Sequence, residues 1–165
     1  MTKDITLKVG EMVAVKGKYL IKSIGIGSCV VVVIFDKEEN IAAMCHSMLP
    51  SPLEGDKSKG QGRFVDNVQI YDAKYVESTI PKMLDLVLKL GGRKDKLKAK
   101  IVGGATMFKS FSPDNSSVGT NNVTLTKKML NDLKLTIKSE NTGGNHGRSV
   151  SFNTTNAVMS VNSRI

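Results

Sequence analysis

The sequence predicts an α+β protein in which helices cover one face of mostly β layers. Alternating or β-branched segments predict strands, two segments with helical spacing predict helices, and their order is strands, helix, strand, helix, strands. The 165 residues, 40% hydrophobic and 24% charged, have the composition of a globular protein. We interpret residues 1–165 as one domain, long enough to bury a core without a metal or a disulfide.

The N-terminal part of the chain is predicted to consist of strands. Apolar and polar residues alternate near the N-terminus, and a continuous run of valines follows Cys29. Such a run is typical of a strand that is buried on both faces. The predicted strands cover residues 5–9, 12–15, 19–24, 29–35 and 41–49, with a turn at 36–40.

A polar loop and a helix come next. Residues 50–62 are mostly proline, serine, glycine and charged side chains, so we expect a mobile loop. Apolar residues at helical spacing over 76–90 predict a helix. Pro81 interrupts the pattern, so the helix either starts near Ser78 or Thr79 or is kinked at the proline.

The C-terminal part is predicted to contain one more helix among strands. Asn121 or Asn122 is expected to cap this helix, because an asparagine side chain can accept a hydrogen bond from a free N–H of the first turn. The other predicted features are a strand at 99–102, a strand at 135–139, a glycine-rich turn at 141–147 and a hairpin at 149–161.

The net charge of +9 comes from 24 basic and 15 acidic residues, many of the basic ones within 93–100. This charge suits an acidic partner. Tryptophan is absent and aromatic residues make up 5%, which argues against nucleic acid, because bases stack on aromatic side chains. No apolar run approaches the ~20 residues of a membrane span, and the N-terminus lacks the apolar core of a secretory signal. We therefore expect a cytoplasmic protein without membrane insertion.

The cysteines and histidines are the candidate ligands or nucleophiles. Thiols stay reduced in the cytoplasm, so we expect no disulfide. Cys29, Cys45, His46 and His146 lack the paired spacing of a zinc site, and we expect no metal. A cysteine close to a histidine is nevertheless the minimum set for nucleophilic catalysis.

The predicted hairpin brings one such pair together. If Phe35 pairs with Asn40 across the turn, Cys29 lies directly opposite His46, with Cβ atoms roughly 4.5–5.5 Å apart. The same register places Cys45 on the other face of the sheet, as a core residue. A structural pair without chemistry stays an alternative, because free cysteine is among the most buried residue types.

A Cys–His pair of this kind supports nucleophilic chemistry. A neighbouring imidazolium would stabilise the Cys29 thiolate and lower its pKa. Ser23 is the candidate to orient the imidazole, through its hydroxyl or its backbone carbonyl, of which we favour the carbonyl. Backbone N–H groups of the preceding segment could converge on an oxyanion. The residues of that segment are Gly25, Gly27 and Ser28.

Five sequence blocks resemble the chemoreceptor glutamine deamidase family, CheD. They are residues 25–30, 46–50, 103–108, 118–123 and 141–150. The resemblance implies a three-layer α/β/β fold like that of bacterial toxin deamidases with a Cys–His centre. It also implies that Cys29 is the nucleophile and His46 its base, with no cofactor. Ser23 stands where the family often has threonine.

The resemblance implies an activity and partners as well. The family hydrolyses specific glutamine side chains of methyl-accepting chemotaxis receptors to glutamate through a cysteine thioester, and methylesterase activity is attributed to some members. A phosphatase of the CheC type is a recurrent partner. Asn145 and Arg148 are the candidate substrate-binding residues, beside His146, where the family commonly has arginine.

Two other functions stay open at this point. One is a non-catalytic basic adaptor that binds the receptor or the phosphatase, and the reactivity of the Cys29 thiol would distinguish it from an enzyme. The other is a cysteine amidase for a small molecule, for which a deep enclosed pocket would be expected rather than an open groove.

Overall fold

The computed structural model describes residues 1–54, 56, 62–107 and 117–163. Within these residues the chain forms two β-sheets and two α-helices. The strands are β1 Lys3–Leu7, β2 Glu11–Lys16, β3 Tyr19–Ile26, β4 Val30–Asp36, β5 Ile41–Ser47, β6 Arg63–Val65, β7 Val68–Asp72, β8 Lys98–Gly103, β9 Thr136–Thr142, β10 Arg148–Asn153 and β11 Val158–Ser163. The helices are α1 Val76–Lys89 and α2 Val118–Asp132, and a short 3-10 helix covers Lys94–Lys96.

The two sheets and the helices form three layers, in agreement with the predicted α+β class. The strand order is β6-β7-β2-β5-β4-β8-β9 in the larger sheet and β1-β3-β10-β11 in the smaller one. Val30 and Val32 pack on the helix side of the larger sheet, whereas Val31 and Val33 pack against the smaller sheet. All seven residues of β4 are buried, which confirms a strand covered on both faces.

Helix α1 begins at Val76, earlier than the alternative start near Ser78 or Thr79, and extends through Pro81. Its first N–H groups are bonded by the preceding segment: Val76 donates to the carbonyl of Leu49 (2.9 Å) and Glu77 to that of Pro50 (3.0 Å). These bonds cap the helix from outside, so it starts at Val76 and Pro81 lies inside it. The predicted start near residue 78 or 79 is therefore wrong.

Helix α2 also begins before its predicted cap. Ser117 is the N-cap, and its hydroxyl accepts a hydrogen bond from the Thr120 N–H at 3.1 Å. Asn121 and Asn122 lie inside the helix, so the prediction that one of them caps it is wrong. Asn122 is fully buried, and its side chain is used elsewhere in the structure.

The remaining predictions concern loops and turns. The hairpin of β10 and β11 is confirmed, and β9 continues to Thr142, which shortens the glycine-rich turn. Residues 55 and 57–61 of the predicted mobile loop lie outside the described residues. In the described part of the chain, no helix is both long and apolar enough to cross a membrane.

Candidate active site

His46 lies near the end of β5 and faces the smaller sheet. Its side chain is fully buried, and its Nδ1 lies 2.7 Å from the Ser23 hydroxyl on β3. The Ser23 hydroxyl in turn donates to the Leu7 carbonyl on β1 at 2.9 Å. The sequence analysis favoured the Ser23 carbonyl for this contact, but the hydroxyl makes it. The two residues come from different sheets, so the contact depends on how the layers pack.

The Ser23 bonds select one tautomer of His46. A hydroxyl carries one proton, and the Leu7 carbonyl can only accept, so that proton is used at Leu7. The 2.7 Å contact therefore requires that Nδ1 of His46 donates its N–H to Ser23. A neutral imidazole then has its lone pair on Nε2, which is buried and has no hydrogen-bond partner among the described residues. His46 is thus arranged to accept a proton at Nε2.

Cys29 lies between β3 and β4, at the same end of the sheet as His46. Val30 pairs with Ser47 and Val31 with His46, so Cys29 is one residue before the strand and not directly opposite the histidine. The predicted register is wrong by two residues. The cause is the turn, because Asp36 stays in the strand and pairs with Ile41. Cys29 is partly exposed, so a large molecule could reach its thiol.

The backbone around Cys29 is held by the segment that follows β8. The Gly104 N–H donates to the Cys29 carbonyl at 2.7 Å, and the Ala105 N–H donates to the Gly27 carbonyl at 2.9 Å. Gly103 has φ +114°, and a Cβ there would lie 2.4 Å from the Cys29 carbonyl oxygen. Only glycine allows this close approach.

The predicted oxyanion segment precedes Cys29 directly. Gly25 has φ +69° in β3, a conformation that favours glycine, and open space surrounds its position. A Cβ at Gly27 would lie 3.4 Å from the Cγ of Met107, so the segment after β8 also covers this residue. Ser28 connects the segment to the cysteine, and its carbonyl is bonded from α2.

Asn122 is the residue that the sequence analysis missed. Its Nδ2 donates to the Ser28 carbonyl at 2.9 Å and to the Met48 carbonyl at 3.0 Å. Ser28 precedes Cys29 and Met48 follows His46 by two positions, so one amide contacts both segments. The available signal was a pattern: Asn122, Thr126 and Leu130 follow helical spacing, which places a polar amide on a buried face.

The glycine-rich turn lies beside the same segment. The Thr106 backbone N–H donates to the Gly144 carbonyl at 2.9 Å. This bond connects the turn to the residues that hold the Cys29 backbone. Arg148 is buried, and its guanidinium donates to the Asn141 side chain (2.9 Å) and the Gly143 carbonyl (2.8 Å). In the part of the chain that the structure describes, its Nη1 has no hydrogen-bond partner. The Asn145 side chain is exposed at the tip of the turn.

Burial controls the charge of the candidate groups. It lowers the pKa of His46 to about 4 and raises the pKa of Cys29, which the N–H of Cys29 itself partly opposes. Both groups are therefore neutral near pH 7. Cys45 lies on the helix side of the sheet, as predicted, where burial raises its pKa to about 11. Among the described residues, no cluster of three or more His, Cys, Asp or Glu side chains could hold a metal ion.

Comparison with known proteins identifies relatives along nearly the whole chain. Residues 48–163 match the family model of CheD, described as chemotactic sensory transduction. A probable chemoreceptor glutamine deamidase CheD of Geobacillus kaustophilus is 37% identical over 160 residues, which cover 95% of this chain and 90% of that protein. The chemoreceptor glutamine deamidase CheD of Thermotoga maritima is 34% identical over 145 residues, with 88% and 82% covered.

The N-terminal part that holds the candidate nucleophile is included in these relationships. The family model begins at Met48, after Cys29 and His46. The chemoreceptor glutamine deamidase CheD of Halalkalibacterium halodurans, 34% identical over 163 residues, covers 98% of this chain and 94% of its own length, so its match includes both residues. The matched sequence thus includes both sheets and both helices, and the chain belongs to the CheD family.

Proposed function

We propose that this protein hydrolyses glutamine side chains of chemoreceptors to glutamate, the activity in the names of its relatives, with Cys29 as nucleophile. The observation that carries this proposal is the unpartnered Nε2 of His46, which the Ser23 hydroxyl leaves as a proton acceptor at the end of the sheet where Cys29 lies. Full burial of a histidine without a second partner is costly for a purely structural role.

The reaction begins with two neutral groups. Nε2 of His46 takes the thiol proton as Sγ of Cys29 attacks the carboxamide carbon of the glutamine. The imidazolium then gives that proton to the amide nitrogen, the C–N bond breaks, and ammonia leaves a glutamyl thioester. Water that gives a proton to Nε2 attacks the thioester, and the C–S bond breaks. The proton returns to Cys29, and the product is glutamate.

Other residues assist this reaction without forming covalent bonds to the substrate. Ser23 keeps the proton of His46 on Nδ1, so that Nε2 stays free. Backbone N–H groups of the segment formed by Gly25, Gly27 and Ser28 face the oxyanion. Asn145 contacts the receptor from the tip of its turn. Arg148, which braces that turn, offers its unpartnered Nη1 to the polar groups of the substrate.

The partners follow from the family and the charge. The substrate is the cytoplasmic helical bundle of a methyl-accepting chemotaxis receptor, so the reaction takes place in the cytoplasm. The net charge of +9 favours approach to such an acidic surface. A phosphatase of the CheC type is the proposed second partner, and it would compete with the receptor for this protein.

Mass spectrometry of a cytoplasmic receptor fragment tests the proposal. The parent protein should convert specific glutamines to glutamate, and Cys29→Ala should abolish the conversion while the fold is kept. Cys45→Ala is the matched control and should keep the activity, because Cys45 lies on the other face of the sheet. An active Cys29→Ala variant would refute the assignment of the nucleophile.

Mass spectrometry of the fragment, together with an assay of ammonia release from a free glutamine amide, separates the two alternative functions. A non-catalytic adaptor would bind the fragment and leave every glutamine unchanged. A small-molecule amidase would release ammonia from a free glutamine amide while the receptor stays unmodified.

A further inference from the structure

Asn122 stands at the junction of the two segments that carry Cys29 and His46. It is fully buried on α2, and its single Nδ2 atom donates to the carbonyls of Ser28 and Met48. The segments otherwise belong to different connections, one before β4 and the other after β5. A change at this side chain would therefore act on both candidate catalytic residues at once.

The bond to Ser28 also fixes the direction of a neighbouring N–H group. The described residues contain no cis peptide bond. In a trans peptide the C=O and the N–H point in opposite directions. The Ser28 carbonyl points at Asn122 on α2, so the Cys29 N–H in the same peptide unit points away from α2. There it lies close to its own thiol, where it lowers the pKa of Cys29.

The adjacent peptide units are held in a different way. The Gly27 carbonyl accepts from the Ala105 N–H, and the Cys29 carbonyl accepts from the Gly104 N–H. These two contacts are between backbone atoms, so a side-chain substitution does not remove them directly. The peptide unit between them consists of the Ser28 carbonyl and the Cys29 N–H, and its carbonyl accepts from the Asn122 side chain.

We propose that Asn122 is a positioning residue, which aims the Cys29 N–H at the oxyanion formed on the substrate and holds the Cys29 and His46 segments together. The inference rests on the proposed deamidase function. Asn122 itself lies beneath the segments and acts through the Cys29 peptide. Donors to an oxyanion are effective when they are fixed before the charge develops, and loss of one lowers kcat by about 10²–10³.

The variant Asn122→Leu tests this role, because leucine has a similar shape and no donor. We expect kcat for the receptor fragment to fall at least about 10-fold, since the Cys29 peptide is free to rotate. KM should stay near the parent value, because the receptor-facing surface is unchanged. The pH profile of Cys29 alkylation should move to higher pH, since its N–H no longer stabilises the thiolate.

Thr126→Val is the matched control. Thr126 lies one turn further along the same buried face of α2, and its hydroxyl has no partner. Valine keeps its shape, so kcat and the alkylation profile should equal those of the parent. Thermal unfolding of both variants measures stability separately. If Asn122→Leu is folded and keeps the parent kcat and alkylation profile, the proposal is overturned.

A measurement on the unmodified protein does not depend on whether a variant folds. The probe is a peptide with an aldehyde in place of the glutamine carboxamide. The Cys29 thiol would add across its C=O bond and form a hemithioacetal. By NMR the Cys29 amide proton should move downfield as it bonds to the new oxygen. If the adduct forms and this proton does not move, the Cys29 N–H has no such role and the inference fails. Absence of deamidation by the parent would instead refute the proposed function.

Discussion

At the scale of the residue, the main feature of the site is a histidine that is held neutral. Burial lowers the pKa of His46 to about 4, and the Ser23 hydroxyl accepts the proton on Nδ1. Burial also raises the pKa of Cys29. The resting pair is therefore a thiol and an imidazole, not the thiolate and imidazolium that the sequence analysis assumed. In the proposed reaction the proton moves during the attack, which makes the orientation of His46 more important than its charge.

Substitutions of Ser23 test that orientation. Ser23→Ala should lower kcat by about 10-fold or more, because Nδ1 loses its acceptor and either tautomer becomes possible. Ser23→Thr should keep most of the activity, since the hydroxyl is retained. Steady-state deamidation of the receptor fragment measures both. Parent activity in the alanine variant would mean that the hydroxyl does not orient the imidazole.

At the scale of the element, the site is built where strand ends and connections meet. The connection before β4 carries Cys29 and the end of β5 carries His46. The connection after β8 bonds the backbone around Cys29. The Gly103 backbone packs so closely against the Cys29 carbonyl that no Cβ would fit between them. The glycine requirement there is thus steric as well as conformational.

Gly103→Ala should therefore affect stability and activity together. The new Cβ would lie 2.4 Å from the Cys29 carbonyl oxygen, so that peptide must move. We expect a loss of more than ~1 kcal/mol in unfolding free energy and a large loss of kcat. Gly17→Ala is the control, since Gly17 has a similar φ of +122° and its Cβ would meet only a Tyr19 side-chain atom at 3.6 Å. It should lose stability in denaturant unfolding and keep its kcat.

At the scale of the whole molecule, the basic cluster and the active site lie at opposite ends of the larger sheet. Lys98 pairs with Phe35 at one end of β4, whereas Gly103 pairs with Val30 beside Cys29 at the other. Part of the cluster also has an internal use, because Arg93 bonds the buried Asp36. In the proposed function, the positive charge would therefore act on an acidic receptor at long range rather than by direct contact at the cysteine.

The neutral His46 also gives the molecule a pH-dependent stability. The unfolded chain binds a proton at His46 below about pH 6.5, whereas the folded chain binds it only near pH 4. Stability from this group is thus complete above pH 6.5 and falls as the pH drops toward 4. The melting temperature should decrease over this window, and His46→Asn should show a flatter dependence. Equal pH dependence in both proteins would show that His46 is not the cause.

The sequence by itself determined both helices and the other strands but not β6 and β7. It also determined the burial of β4 on both faces and the cysteine that faces the core, because local periodicity reports these directly. The predicted hairpin and the family resemblance both pointed to Cys29 and His46 as the candidate site. The tertiary structure decided the register of the β4–β5 hairpin, since the buried Asp36 lengthens the strand beyond what turn residues predict. It also decided that the Ser23 hydroxyl contacts His46 and that the Asn122 amide bonds the carbonyls of both Ser28 and Met48. These contacts join residues that are distant in sequence and belong to different layers. No local sequence pattern reports how two layers pack against each other.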